Sequence, residues 1–334
     1  MKYTLNMMIL AAAVAAASVL SAQASTITMD MVTVGDPGNV ADTTGYGAVG
    51  YVYEMGKYDV TTTQYTAFLN AVAKTSDPYG LYNSDMTTVF PNLWGVNLGI
   101  ARSGSPGNYS YSVIGSGNVP VVDVTWGDAA RFANWLQNGQ PSGPGTIEAP
   151  GTTETGAYTL SGDVSSLMEA RNPGATYFIP SENEWYKSAY YKGGSTNAGY
   201  WQYPTKSNTA PSNVLSASGT NNANFYNNGY TDPTNYLTPV GYFAGSPGPY
   251  GTYDQGGDVY QWNEGPSRGL RGGSFPFDSS NLASSTRGGT NPTYETYYIG
   301  FRVAGSAASP EPGGVAMLLA GALAFGIWRL RRNA

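Results

Sequence analysis

Two short stretches near the start of the chain alternate apolar and polar positions. Ile27 to Val34 reads as one strand, and Val52-Tyr53-Glu54-Met55-Gly56-Lys57-Tyr58-Asp59-Val60 as a second. The period then changes. Tyr65, Phe68, Leu69 and Val72 share one face of a helix over Gln64–Ala73, which the hydroxyls of Thr61-Thr62-Thr63 can cap. A second helix is expected from about Trp126-Gly127-Asp128. It buries Ala129, Ala130, Phe132, Ala133 and Leu136, and Asn138-Gly139 supplies its stop. Ser181 and Glu184 form a capping box for a third, running to about Tyr191 before Gly193-Gly194. Residues 74–120 read as polar loop, and after residue 195 only Gly269–Phe275 and Tyr298–Val303 carry strand signals. No repeat or domain break is visible, so the pattern predicts a single α+β domain. Loops longer than about 15 residues need something to pin them, and bound metal and buried aromatics are the candidates.

Both ends fall outside that domain. Lys2, the apolar run Met7–Leu20 and the small-x-small triplet Ala22-Gln23-Ala24 read as a secretory signal over residues 1–24. At the other end Pro310-Glu311-Pro312 precedes an apolar run, Val315–Trp328, and a basic terminus with Arg329, Arg331 and Arg332. A helix over that run spans about 21 Å, short of the roughly 30 Å hydrocarbon core unless glycines and snorkelling arginines extend it. Basic residues following the run stay cytoplasmic, which leaves the bulk of the chain outside the inner membrane. The order of the three parts is similar to the PEP-CTERM sorting signal of Gram-negative bacteria, taken here as residues 306–334. That resemblance implies an exosortase and a signal peptidase as processing partners. It also implies transient membrane anchoring, then release to the envelope, surface or extracellular matrix.

Charge and composition narrow the function classes. The net charge is −6, and without the two end segments it is −9, because four of the five charges they carry are basic. An acidic surface argues against nucleic acid and anionic lipid headgroups and is compatible with cation binding. With 27 Tyr and 7 Trp the chain can bury a sizeable core despite its many polar loops. It has no Cys and no His. Disulfides, thiolate catalysis, Ser-His-Asp triads and imidazole-bound zinc or iron are therefore excluded.

Six motifs in order over about residues 50–305 resemble the formylglycine-generating-enzyme, or sulfatase-modifying-factor, family. They are Gly56-Lys57-Tyr58-Asp59-Val60-Thr61 with Tyr65, Phe68 and Leu69; Pro120 to Ala129; Pro180-Ser181-Glu182-Asn183-Glu184-Trp185, with Tyr203-Pro204 after it; Tyr253 to Trp262; Arg271-Gly272-Gly273-Ser274-Phe275; and Gly300-Phe301-Arg302-Val303. The resemblance implies a C-type-lectin-like fold over residues 25–305, with little regular structure and with structural calcium. One calcium site would map onto Asp254, the carbonyls of Gly257 and Val259, and Gln261, which stands where the family has Glu. A second would map onto Asn224, the Phe225 carbonyl, Asp232 and the carbonyl near Thr234. Oxygen ligands of this mixture suit calcium; a Gly-rich turn closed by hydrogen bonds is the alternative for the first set.

The family's enzyme uses two copper-binding cysteines, and the corresponding positions here are Phe277 and Leu282. Neither can hold copper, and the iron chemistry of a related branch needs histidines this chain lacks. Trp126, Trp185 and Trp262 read as core, Glu182 and Glu184 as helix-cap or ion-pair residues, and Arg271 and Arg302 as carboxylate partners. The expected function is therefore a non-catalytic, calcium-stabilised binding module for exopolysaccharide or a surface protein. Tyr109-Ser110-Tyr111, Tyr226–Tyr236 and Tyr294–Tyr298 are the candidate contact faces. The alternatives are a carboxylate-pair hydrolase of polysaccharide on the same fold and a purely structural matrix component.

Overall fold

The computed structural model describes residues 26–87, 97–160, 162, 170–265 and 268–307. The signal-peptide reading of residues 1–24, the sorting motif at Pro310–Pro312, the span 315–328 and the terminal arginines lie outside them. Among the described residues no helix is long and apolar enough to cross a membrane.

The three helices form where the apolar period and the caps place them. Helix α1 covers Thr62–Val72, α2 Trp126–Gln137 and α3 Glu182–Tyr190. Each opens with a reciprocal capping box: Thr61 with Gln64, Thr125 with Asp128, Ser181 with Glu184. Each box satisfies two of the orphaned N-terminal N–H groups and contributes about 1 kcal/mol. Tyr65, Phe68 and Phe132 from α1 and α2 meet Trp135 and Phe301 edge-on and stacked at 5.4–6.4 Å. These rings form the centre of the main core, with Trp126 and Trp262 wholly buried beside them. Trp185 is as deeply buried in a smaller cluster with Tyr186 and Tyr190.

Short strands surround this core. β1 (Met31–Val34), β2 (Tyr53–Gly56), β10 (Ala304–Ser306) and β5 (Tyr177–Phe178) make an antiparallel sheet in that order, joining the beginning and end of the domain. A second sheet has the order β8 (Gly288–Gly289), β7 (Gly269–Arg271), β6 (Tyr260–Trp262), β9 (Ile299–Gly300), with β6 and β9 parallel. All four strand expectations are shortened: the first to Met31–Val34, the second to Tyr53–Gly56, the third where Gly272 and Gly273 take positive φ and end β7, and the fourth to Ile299–Gly300.

One expectation is corrected. Residues 74–120 are not loop throughout: β3 (Gly99–Ser103) and β4 (Ser110–Ile114) form a regular hairpin packed on α1. Its apolar contribution is small, chiefly Ile100 and Tyr111 turned inward, so serines and Arg102 on the outer face hide the alternation. Elsewhere the loops are pinned by buried side chains that hold backbone. Asn134, for example, donates to the carbonyls of Thr153 and Tyr158 and accepts from the Tyr158 N–H. Six Asp and Asn residues adopt the left-handed backbone their short side chains tolerate.

Candidate functional site

The turn that leads into β6 is built from left-handed residues. Asp254 (φ 58°), Gly257 (φ 83°) and Asp258 (φ 56°) curl the chain until Gly257 rests on the Asn224 backbone. A Cβ on Gly257 would stand 2.0 Å from the Asn224 carbonyl oxygen, so only glycine fits. The Asp258 N–H donates to that same oxygen at 2.9 Å. Two residue sets thirty positions apart in sequence, Asp254–Gln261 and Asn224, are therefore neighbours. Asp258, which the sequence reading did not single out, joins them. Its carboxylate accepts from Asn224 Nδ2, the Thr238 N–H and the Thr238 hydroxyl at 2.6–2.9 Å.

Arg302 is the cation of this centre. Its Nε donates to Gln261 Oε1 (2.7 Å), Nη1 to the Gly56 carbonyl (2.8 Å), and Nη2 to Asp59 Oδ1 (3.0 Å) and the Tyr253 carbonyl (2.8 Å). Trp185 Nε1 donates to the same Gln261 oxygen at 2.6 Å, and Gln261 Nε2 donates to the Asp254 carbonyl at 2.7 Å. One guanidinium thus pairs with Asp59 and acts on Asp254, while Asp258 lies beside Asp254. Desolvation pushes Asp254 up to about 6 and Asp258 up to about 7, Asp254 adding to the shift at Asp258, and it raises Asp59 well above the usual carboxylate range.

These contacts test the calcium ligand sets. In the first, both polar atoms of Gln261 are committed, and Asp254 Oδ2 accepts from the Gly241 N–H at 2.6 Å. In this conformation Gln261 and one oxygen of Asp254 are engaged by the protein's own hydrogen bonds. In the second, Asn224 Oδ1 is a buried oxygen without a partner, the kind of atom a cation would engage. The Phe225 carbonyl accepts from Thr231, and Asp232 caps its own loop, accepting from the N–H groups of Thr234 and Asn235 and from the Asn235 amide. Asp232 thus serves its turn, and Asn224 lies with Asp258. Among the described residues no three acidic side chains converge as a metal-binding group.

The other ionic groups are structural. Glu182 pairs with Arg271 and Arg287, and Glu184 and Glu264 are both clamped by Arg171 at 2.6–2.7 Å. Tyr51 and Tyr158 hydroxyls complete the second network. A carboxylate pair does exist, then, but a guanidinium and two phenols saturate it.

Residues 28–307 match the family model described as sulfatase-modifying factor enzyme 1-like domain. The chain belongs to this family. Solved structures that the chain is similar to include CarF (21% identity, TM-score 0.48, 84% of this chain and 99% of that one) and variable protein 1 of Treponema denticola (17%, 0.47, 85% and 98%). PvdO from Pseudomonas aeruginosa is a third (19%, 0.41, 84% and 92%). No curated protein matches the sequence.

In this sulfatase-modifying-factor domain Phe277 and Leu282 are apolar and packed. Leu282 is buried against Ala223 and Phe225. Phe277 meets Tyr260 at 5.6 Å and Tyr298 at 5.2 Å. From there a band of rings extends: Tyr298 to Tyr297 (5.1 Å), Tyr297 to Phe275 (6.1 Å), Phe275 to Tyr236 and Tyr230 (6.0 and 6.1 Å), Tyr230 to Tyr226 (5.2 Å). Tyr226 and Tyr294 are the exposed members, at 40% and 43%, while the Tyr294 hydroxyl reaches that of Tyr298. The two distant tyrosine stretches singled out in the sequence are therefore one surface, with Phe275 as the buried link. The third, Tyr109-Ser110-Tyr111, lies apart on the hairpin, where Tyr111 is core and Tyr109 stacks on Arg102.

Beside the band lies an acidic group the sequence reading missed. Glu295, on the same loop as Tyr294, is pushed up to about 8 by burial and by Asp128, Asp123 and Asp85. Asp123 is pushed up to about 7 by burial and Asp85, and its Oδ2 has no partner. Only the left-handed turn at Asp123 (φ 57°) marks it locally, and nothing in the sequence brings it to Glu295.

Proposed function

We propose that this sulfatase-modifying-factor domain is an exported, non-catalytic binding module of the Gram-negative envelope or matrix, and that its aromatic band contacts the ligand. The observation that carries the reading is the exchange at the family's reactive position: Phe277 and Leu282 replace the cysteine pair, and the surface above them is a run of tyrosines. Half-exposed tyrosines supply large, rigid contact area with a hydroxyl at the rim, which suits the apolar faces of sugar rings in an exopolysaccharide. Calcium belongs to the same proposal as a structural ion. Its support is the orphaned Asn224 Oδ1, an oxygen donor of the type calcium prefers, on a side chain whose Nδ2 donates to the Asp258 carboxylate. The export signal and the sorting tail read in the sequence would deliver the domain to such a ligand.

The test is retention on exopolysaccharide and on a glycan array, wild type against Tyr226→Ala and Tyr294→Ala. Both side chains are surface members of the band, so the variants keep the wild-type melting temperature and lose retention by about tenfold. Equal retention by wild type and both variants, or turnover of a polysaccharide by the purified chain, refutes the reading.

A further inference from the structure

The chain carries two Asn-Gly pairs, Asn138-Gly139 and Asn228-Gly229. Such a pair is chemically weak, because glycine offers the preceding side-chain amide an unhindered backbone nitrogen and asparagine is thermolabile. The fold treats the two pairs differently. Asn138 caps the end of α2, where its Nδ2 donates to the carbonyls of Thr152 (3.0 Å) and Thr155 (2.7 Å). The Gly139 N–H donates to the Leu136 carbonyl at 3.0 Å, so both reacting groups are held. Asn228 is exposed, in the loop between Tyr226 and Tyr230. Among the described residues neither its side chain nor the Gly229 N–H makes a hydrogen bond. The loop is tied instead through the Gly229 carbonyl, which accepts from Asn213 Nδ2 and the Asn227 N–H, both at 3.0 Å. A Cβ on Gly229 would meet nothing within 4 Å, which leaves room beside the reacting nitrogen. Asn228 sits in the left-handed region (φ 56°), so the attack requires a rotation of this exposed turn, and no side-chain bond of Asn228 opposes it.

We propose that Asn228 is a modification site, at which the folded chain deamidates selectively. Hydroxide takes the proton of the Gly229 N–H, and that nitrogen bonds to Asn228 Cγ. The bond from Cγ to Nδ2 breaks, and ammonia leaves with a proton from water. One water molecule then opens the five-membered imide at either carbonyl, giving aspartate or isoaspartate. No electrons are transferred, and water is the only co-reactant. The product adds a negative charge, and isoaspartate adds a methylene to the backbone, between two rings now 5.2 Å apart. Tyr226 is 40% exposed and belongs to the contact face assigned above, so modification weakens ligand retention. That consequence rests on the binding reading; the covalent step does not.

The experiment is peptide mapping by mass spectrometry of the full-length chain aged at pH 6 and at pH 9. Exchange of NH2 for OH is expected at Asn228 at least tenfold faster than at Asn138, and faster at pH 9 than at pH 6. In urea the two rates converge, because the unfolded chain presents the same dipeptide twice. Gly229→Ala, at a glycine outside the left-handed region with open space around it, keeps the melting temperature and slows modification at Asn228 at least tenfold. Equal rates at the two asparagines of the folded chain, or an unchanged rate in Gly229→Ala, overturns the assignment. Anion exchange then separates modified from unmodified chains for retention on exopolysaccharide, with at least a threefold loss expected in the modified fraction. Equal retention of the two fractions overturns the consequence for the band, and no retention of the unmodified chain refutes the binding reading itself; the mass spectrum alone decides the covalent step.

Discussion

Replacing Gln261 by Glu places the energetics of the buried centre under direct test. The amide does two jobs a carboxylate cannot do together: Oε1 accepts from Trp185 and Arg302, while Nε2 donates to the Asp254 carbonyl at 2.7 Å. In the Gln261→Glu variant the first job survives and is strengthened by charge, since Arg302 is the donor. The second is lost. A carboxylate oxygen then faces a carbonyl oxygen at hydrogen-bond distance with no proton between them, which costs about 1–3 kcal/mol. The variant also adds a third carboxylate near a guanidinium that already pairs with Asp59 and acts on Asp254, a further cost of the same order. The gain at Arg302 is about 1–2 kcal/mol, so repulsion wins and the net loss in EDTA is on the order of 2–4 kcal/mol. A divalent cation reverses the sign of the new contact, because the carboxylate and the Asp254 carbonyl become ligands instead of competitors. Urea melts followed by tryptophan fluorescence, in EDTA and in calcium, read both effects, with Trp185 as the local reporter. The variant is expected to be weaker than wild type in EDTA and to recover at least half of the difference in calcium. A variant as stable as wild type in EDTA would refute the hydrogen-bond argument. One equally unstable in both buffers would refute the expectation that a carboxylate at position 261 opens this turn to calcium.

Three further outcomes follow from the same contacts. Glu148 is buried beside Asp77 and its carboxyl is pushed up to about 9, so it holds its proton in the fold and releases it on unfolding. Its stability contribution is complete below about pH 4.5 and lost as pH rises through about 9, and Glu148→Gln should stabilise by about 2 kcal/mol at pH 8, flattening the pH dependence of urea melts. Leu282→Ala should cost about 2–5 kcal/mol because the side chain is fully buried, and Phe277→Ala less because that ring is half-exposed, both read by thermal melts. Thr125→Ala removes the α2 cap and should cost about 1 kcal/mol by the same assay, with helicity otherwise retained.

The helices were legible because their determinants are local. Thr61 with Gln64, Thr125 with Asp128 and Ser181 with Glu184 each sit three residues apart, and the apolar faces repeat within two turns. The ion pairs of Arg271 and Arg302 were legible only as a class of contact. Their partners Glu182 and Asp59 lie 89 and 243 positions away and carry no signal of their own. The hairpin at Gly99–Ile114 was hidden for a different reason: a two-stranded element with a single inward face needs few apolar residues, so its sequence looks like loop.

The candidate sites show the same division more sharply. Asp254 and Gly257 could be named from a six-residue turn, yet the structure gives their neighbourhood to Asn224 and Asp258 through a contact that only a glycine at 257 permits. A motif read along the chain lists ligands in sequence order, whereas coordination depends on which oxygens remain free after the loops have closed. Gln261 belongs to the motif but spends its oxygen on Arg302 and Trp185. Asp232 spends its carboxylate on its own turn, and Asn224 keeps one oxygen free. The tyrosine stretches gained in meaning for the converse reason. Each alone is compatible with burial in a core, but Phe275 between Tyr230, Tyr236 and Tyr297 joins them into a continuous surface that reaches Phe277 through Tyr298.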